Sequence, residues 1–212
     1  MAAGYRVAVT MRMTLKGNGA FDDRDCLATD WVRLLEDWGA VPFYVPNCLG
    51  DPVTWLSVMA PDLLVLTGGD DWGATPERDE TEATLYRHAV CANLPVLGIC
   101  RGMQVVNHLE GGVLAPVQNH VAKPHPVEFR GMLASLYGTT AEVNSFHNHG
   151  IAPSGLADSL LPVAVDSDGY IEAAVHRSAS VATLMWHPER AGAPAGDRAL
   201  FNLLLTKGTL SP

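Results

Sequence analysis

Two short segments of this chain are apolar at every position, Leu63-Leu64-Val65-Leu66 and Val96-Leu97-Gly98-Ile99, and each runs into a glycine-bearing turn. A strand with one wet face alternates apolar and polar residues. An unbroken run this short suits a strand covered on both faces, as in a parallel sheet between layers of helices. The flanking sequence supplies the alternation such a sheet requires. Residues 5–11 and 41–45 read as strands. Residues 25–38 read as a helix, with Leu27, Trp31, Leu34, Leu35 and Trp38 at helical spacing and Gly39 as its stop. Residues 77–92 and 101–110 read as further helices, the latter closed by Gly111-Gly112. The second half is richer in strands, with candidates at 113–115, 127–129, 164–165, 171–175 and 181–186 before a closing helix at 197–206. The spacing predicts one α/β domain over 1–212: a mostly parallel central sheet with flanking helices and small antiparallel β elements in the second half.

Composition narrows the class further. Hydrophobic residues are 48% and charged residues 17% of the chain, the latter below the usual ~25%, which fits a large core and argues against disorder. The formal net charge is −9 with no basic run, a poor match to nucleic acid or an anionic membrane. No stretch approaches the ~20 apolar residues of a membrane span. Residues 1–7 lack the charged start and apolar run of a signal peptide, so a cytoplasmic location is expected. The four cysteines have no C-x-x-C pairing and are expected to be reduced.

The strongest local pattern is Gly98-Ile99-Cys100-Arg101-Gly102, a G-x-nucleophile-x-G turn between a buried strand and a helix. Its glycines leave room for a sharp bend that presents the thiol. The thiol is then expected at a helix N-terminus, where the dipole favours thiolate, with the Arg101 N–H toward a developing oxyanion. Free cysteine is otherwise a small buried hydrophobe, the reading for Cys26, Cys48 and Cys91. A thiol nucleophile needs an imidazole, and the imidazole an orienting group. His187-Pro188-Glu189, directly after an apolar strand, offers both.

With Thr67-Gly68-Gly69-Asp70, Gly98-Ile99-Cys100-Arg101-Gly102-Met103-Gln104 and Trp186-His187-Pro188-Glu189 in this order, the chain resembles the class I glutamine amidotransferase-like superfamily. The resemblance is nearest to its γ-glutamyl-GABA hydrolase, peptidase C26-like, branch. It implies a flavodoxin-like three-layer fold. It assigns Cys100 as nucleophile, His187 as base and then acid, and Glu189 as orienter. It implies an oxyanion site from the Gly69 and Arg101 N–H groups beside Gly68. It further implies substrate contacts from Gln104 and from Asn144, Ser145, Phe146 and His147 of the segment Val143-Asn144-Ser145-Phe146-His147-Asn148-His149-Gly150. The loop 16–25 falls near the mouth of the site. There Arg24 either pairs with an anionic leaving group or caps the first helix electrostatically. His147 and His149 raise the question of a metal; with no Cys or carboxylate cluster at ligand spacing, none is expected, and His120 and His125 read as loop residues. No cofactor is expected.

These residues point to hydrolysis of a small-molecule γ-glutamyl amide through a thioester, the leaving amine being GABA, a polyamine or a nucleotide-linked amidate. One alternative is a glutaminase subunit feeding ammonia to a separate synthetase. Another is a non-enzymatic reactive-Cys protein on the same fold. A homodimer, or in the subunit reading the synthetase, is the protein partner left open.

Overall fold

The structure is a computed structural model describing residues 4–17 and 21–207. Part of the loop expected near the site, 18–20, therefore lies outside the described residues. The first half runs β1 (Tyr5–Thr10), β2 (Arg12–Thr14), β3 (Arg24–Cys26), α1 (Thr29–Asp37), β4 (Ala40–Val45), α2 (Pro52–Met59), β5 (Leu63–Leu66), α3 (Pro76–Ala92), β6 (Val96–Ile99) and α4 (Arg101–Leu109). The second half runs β7 (Ala115–Pro116), β8 (His125–Phe129), α5 (Gly131–Tyr137), β9 (Thr140–Val143), β10 (His149–Gly150), β11 (Leu160–Asp166), β12 (Ile171–His176), β13 (Val181–Leu184) and α6 (Asp197–Lys207).

Nine strands form one sheet in the order β4-β1-β5-β6-β13-β12-β11-β8-β9. The first five are parallel, in the flavodoxin-like arrangement. The remaining four are antiparallel and extend the same sheet, and β7 with β10 forms a separate small antiparallel pair in the second half. The apolar runs do what their lack of alternation predicts. Leu63 and Val65 face a core with Trp31 and Leu35 of α1 and Phe201 and Leu204 of α6. Leu64 and Leu66 face the opposite core, with Leu56 of α2, Leu85 of α3 and Met103 of α4. Each such side chain, wholly removed from water, contributes roughly 1.5–3 kcal/mol. Among the described residues, no helix is long and apolar enough to cross a membrane.

Several segments differ from the sequence expectation. The helix expected from residue 25 begins at Thr29, because Arg24–Cys26 pairs antiparallel with Arg12–Thr14. The strand expected at 113–115 is the two-residue β7, paired with β10. Besides β3, the elements β2, α2, α5, β9 and β10 lie outside the sequence expectation. The helix α2 has its N-cap at Asp51, whose carboxylate accepts the Thr54 N–H, and Pro52 opens it.

Candidate active site

The carboxyl ends of β5, β6 and β13 converge on one edge of the sheet, where ligands of such folds bind. Cys100 follows β6 with φ 52° and ψ −105°, a left-handed conformation that a non-glycine residue adopts at a cost of about 1–3 kcal/mol. Its N–H donates to the Leu184 carbonyl at 2.7 Å, tying the turn to β13. The glycines of the motif have separate reasons. A Cβ on Gly98 would lie 2.9 Å from the Gly102 carbonyl, and a Cβ on Gly102 would collide with the Leu66 carbonyl. Strand β6, the turn and β5 are thus packed backbone against backbone.

His187 and Glu189 leave β13 just beyond Trp186. The His187 Nδ1 lies 2.7 Å from Glu189 Oε1, so the carboxylate stands beside the imidazole. The ring is buried and held from several sides. The amide of Asn144 accepts from the His187 N–H at 2.9 Å and donates to its carbonyl at 2.8 Å. Phe146 packs edge-on to the ring at 5.7 Å, and the Arg190 guanidinium lies 4.3 Å over Phe146. A Cβ placed on Gly68 would lie 2.7 Å from His187 Cε1 and 3.6 Å from Cys100 Cβ. The imidazole and the cysteine therefore flank the same glycine.

Behind the turn is a buried charge network. Glu82 of α3 takes Arg78 Nε at 3.0 Å, the Thr10 hydroxyl at 2.7 Å and a guanidinium N–H of Arg101. Arg101 also pairs with Asp79, and Arg78 donates to the carbonyls of Thr67 and Gly68 at 2.9 and 3.1 Å. Burial alone would raise the Glu82 carboxyl; Arg78 and Arg101 outweigh it and hold it below its ordinary value. The network braces the two backbone segments that carry Gly69 and the Arg101 N–H. The Arg101 N–H faces the cysteine sulfur and favours its ionised form, but burial prevails and pushes the Cys100 thiol up to about 12. This corrects the expectation of a resting thiolate. The helix terminus is present, but the sulfur beside it is out of water.

A small cleft opens at this edge, lined by Arg12, Thr67, Gly68, Gly69, His187 and Glu189, among others. The other residues expected at the substrate are placed as follows. Arg24 is exposed and lies 3.8 Å from Asp22; the guanidiniums on the cleft are Arg12, which pairs with Asp70 at 3.0 Å, and Arg190. Both ends of the Asn144 amide grip the His187 backbone, and the Ser145 hydroxyl donates to the His120 carbonyl. Gln104 donates to the His149 carbonyl at 2.9 Å. His147 is buried with Nδ1 against the same carbonyl at 3.0 Å. Phe146 is half-exposed. Nor are His120 and His125 mere loop residues: His120 is buried, His125 begins β8, and both converge with Asp166 and Glu172, the carboxylates that linear spacing did not reveal. Sequence reasoning passed over Arg12, Arg78 and Glu82, whose roles depend on pairings across β1, β5 and α3.

A flavodoxin-like sheet carrying its cysteine on this turn defines a hydrolase of the class I glutamine amidotransferase type. Within that class the chain belongs to the Peptidase C26 family, whose model matches residues 7–189. It is 28% identical over 192 residues to a gamma-glutamyl-CDP-amidate hydrolase of Campylobacter jejuni, covering 87% of this chain and 90% of that protein. It is 27% identical over 240 residues to a gamma-glutamyl-gamma-aminobutyrate hydrolase of Escherichia coli O157:H7, covering 93% and 91%. Among solved structures, a glutamine amidotransferase of Thermotoga maritima superposes with a TM-score of 0.66 at 17% identity, covering 88% of this chain and 76% of that one. That likeness is one of fold.

Proposed function

We propose that this chain hydrolyses a γ-glutamyl amide through a γ-glutamyl thioester on Cys100. The observation that carries the reading is the placement of Cys100 and the His187–Glu189 pair on hydrogen-bonded neighbouring strands, with the imidazole and the cysteine Cβ flanking Gly68. Burial pushes the Cys100 thiol up, which favours attack coupled to proton transfer over attack by a free thiolate. Sγ bonds to the amide carbon as its proton passes to the free nitrogen of His187. The Gly69 and Arg101 N–H groups hold the oxyanion, each such donor contributing about 3–4 kcal/mol in the transition state. His187 then gives the proton to the departing nitrogen, and the amine leaves. Water, deprotonated by His187, cleaves the thioester to glutamate and restores the thiol. The named activities of the relatives support the γ-glutamyl half of this reading.

The test is glutamate release from a panel: γ-glutamyl-GABA, a γ-glutamyl polyamine, γ-glutamyl-CDP-amidate and glutamine. Turnover of one or more amides by the isolated chain, abolished in Cys100→Ser, is expected. Release from none, or full activity in Cys100→Ser, overturns the proposal. Slow turnover of glutamine alone, accelerated by a synthetase, assigns the chain to the ammonia-supplying reading instead.

A further inference from the structure

The antiparallel half of the molecule contains a second cluster of chemically capable side chains that the proposed hydrolysis does not use. His120, His125, Asp166 and Glu172 each offer a donor atom, and these atoms all lie within 4.8 Å of one another. His147 adjoins them, with Nε2 3.7 Å from Glu172 Oε1. On the other oxygen, His125 Nε2 lies 3.5 Å from Glu172 Oε2, and His120 Nε2 is 3.0 Å from Asp166 Oδ2. These are the separations expected of neighbouring ligands on one ion, since metal–ligand bonds near 2.0–2.2 Å put ligand atoms roughly 3–4 Å apart.

The hydrogen-bond inventory makes this more than proximity. Glu172 is 1% exposed, and neither of its oxygens has a hydrogen-bond partner. His147 Nε2 and both ring nitrogens of His125 are likewise buried without one. A buried carboxylate left so costs several kcal/mol, which native proteins avoid by pairing the group or placing it on a metal. The tautomers point the same way. A carbonyl only accepts, so His120 Nδ1, 2.7 Å from the Gln118 carbonyl, and His147 Nδ1, 3.0 Å from the His149 carbonyl, both carry protons. In the neutral ring each Nε2 is then a bare lone pair, and each faces a carboxylate oxygen. Two lone pairs facing one another require a proton or a metal cation between them, and one ion answers both contacts together with the unpaired Glu172 oxygens. An imidazole that donates one N–H to a backbone carbonyl and presents the other nitrogen is also the usual arrangement behind a metal ligand. Asp166 is fixed by accepting the N–H groups of Asp168 and Tyr170 on Oδ1, leaving Oδ2 turned to the cluster.

We propose that His120, His125, His147, Asp166 and Glu172 form a binding site for one first-row divalent transition-metal ion of the zinc type. An imidazole-rich set with carboxylates and no thiolate suits zinc, cobalt, manganese or ferrous iron rather than magnesium or calcium, which take oxygen ligands. The ion ties the segment around His120 and β8 to β11, β12 and the segment that begins at Asn144. Asn144 grips the His187 backbone and Phe146 packs on its ring, so the ion acts on the catalytic imidazole as a positioning element at a distance.

The test uses the full chain purified without a histidine tag. Metal content is measured by plasma mass spectrometry, and chelator-treated protein is titrated with Co²⁺ while visible d–d absorption and Tm are followed. One metal per chain, a saturable Co²⁺ spectrum at one equivalent and a rise in Tm on metal addition are expected. Glu172→Gln should weaken Co²⁺ binding by more than the 10–100-fold typical of losing a group that merely orients a ligand. His149→Ala, whose ring is partly exposed and lies outside the cluster, should bind as the parent does. No spectral change and no Tm shift in the parent chain overturns the site, as does a Glu172→Gln chain that titrates like the parent. Should Glu172→Gln fail to fold, the parent titration decides alone.

Discussion

At Gly68 a hydrogen stands where most residues carry carbon, and the His187 ring fills the space. Its backbone is not among those with positive φ, so alanine is permitted there by conformation and opposed by contact: the added methyl meets Cε1 at 2.7 Å. Gly68→Ala should displace the imidazole while leaving the sheet intact. A displacement near 1 Å can lower turnover about 100-fold. Steady-state kcat on the preferred amide should fall by that order while the urea midpoint moves little; unchanged kcat would mean the ring has slack. The neighbouring thiol makes a separate prediction. Cys48 and Cys91 are exposed, whereas Cys100 is buried with its pKa pushed up to about 12. At pH 7, iodoacetamide should modify Cys48 and Cys91 before Cys100. Alkylation of Cys100 should still be climbing about tenfold per pH unit at pH 10, where ordinary thiols with pKa near 8.5 have levelled off. Peptide mass mapping across pH reads this directly, and first labelling of Cys100 at pH 7 would restore a resting thiolate. Cys100, His187 and Glu189 were legible as single letters because the turn and the His-Pro-Glu run are contiguous. The state of the thiol was not, because it depends on what covers it.

At the scale of elements, the most telling junction is where α5, α6 and the end of β13 meet. The Asp197 carboxylate, in the first turn of α6, accepts the Tyr137 hydroxyl at 2.8 Å and the Trp186 indole N–H at 3.0 Å. Burial pushes its pKa up from 3.8 to about 7 despite these donors. The folded state therefore holds a proton that the unfolded chain gives up. The resulting stabilisation is complete below about pH 4 and is lost as pH rises through 7, with a slope of at most about 1.4 kcal/mol per pH unit. Asp197→Asn keeps an oxygen for both donors and removes the ionisation. Urea midpoints for that variant should vary less between pH 5 and 8 than those of the parent; parallel curves would show that the carboxyl is already ionised. Elements with strong periodicity, such as the helices over α1 and α4, were readable. Others were not, for local reasons. The helix α2 is apolar on nearly every side, and β3 is three residues long and owes its existence to pairing with β2. In α5, Gly131 and Met132 give no capping signal.

Across the whole molecule, legibility tracks sequence distance. The parallel half could be read because each buried strand ends in its own functional turn. The cluster around Glu172 could not, because its members are spread from 120 to 172 and meet through strand register. Pairing sets Asp166 opposite Val127 and His125 opposite Val143, and nothing in the linear order announces that. The same register governs the active site more simply. Ile99 pairs with Leu184, so Cys100 and His187 follow one and three residues beyond the same rung of one ladder. The reactive distance is thereby a property of the scaffold, independent of the long excursion of chain between the two residues. That excursion can be lengthened, trimmed or redecorated without moving Cys100 and His187 apart, which leaves the walls of the cleft free to change while its floor stays put.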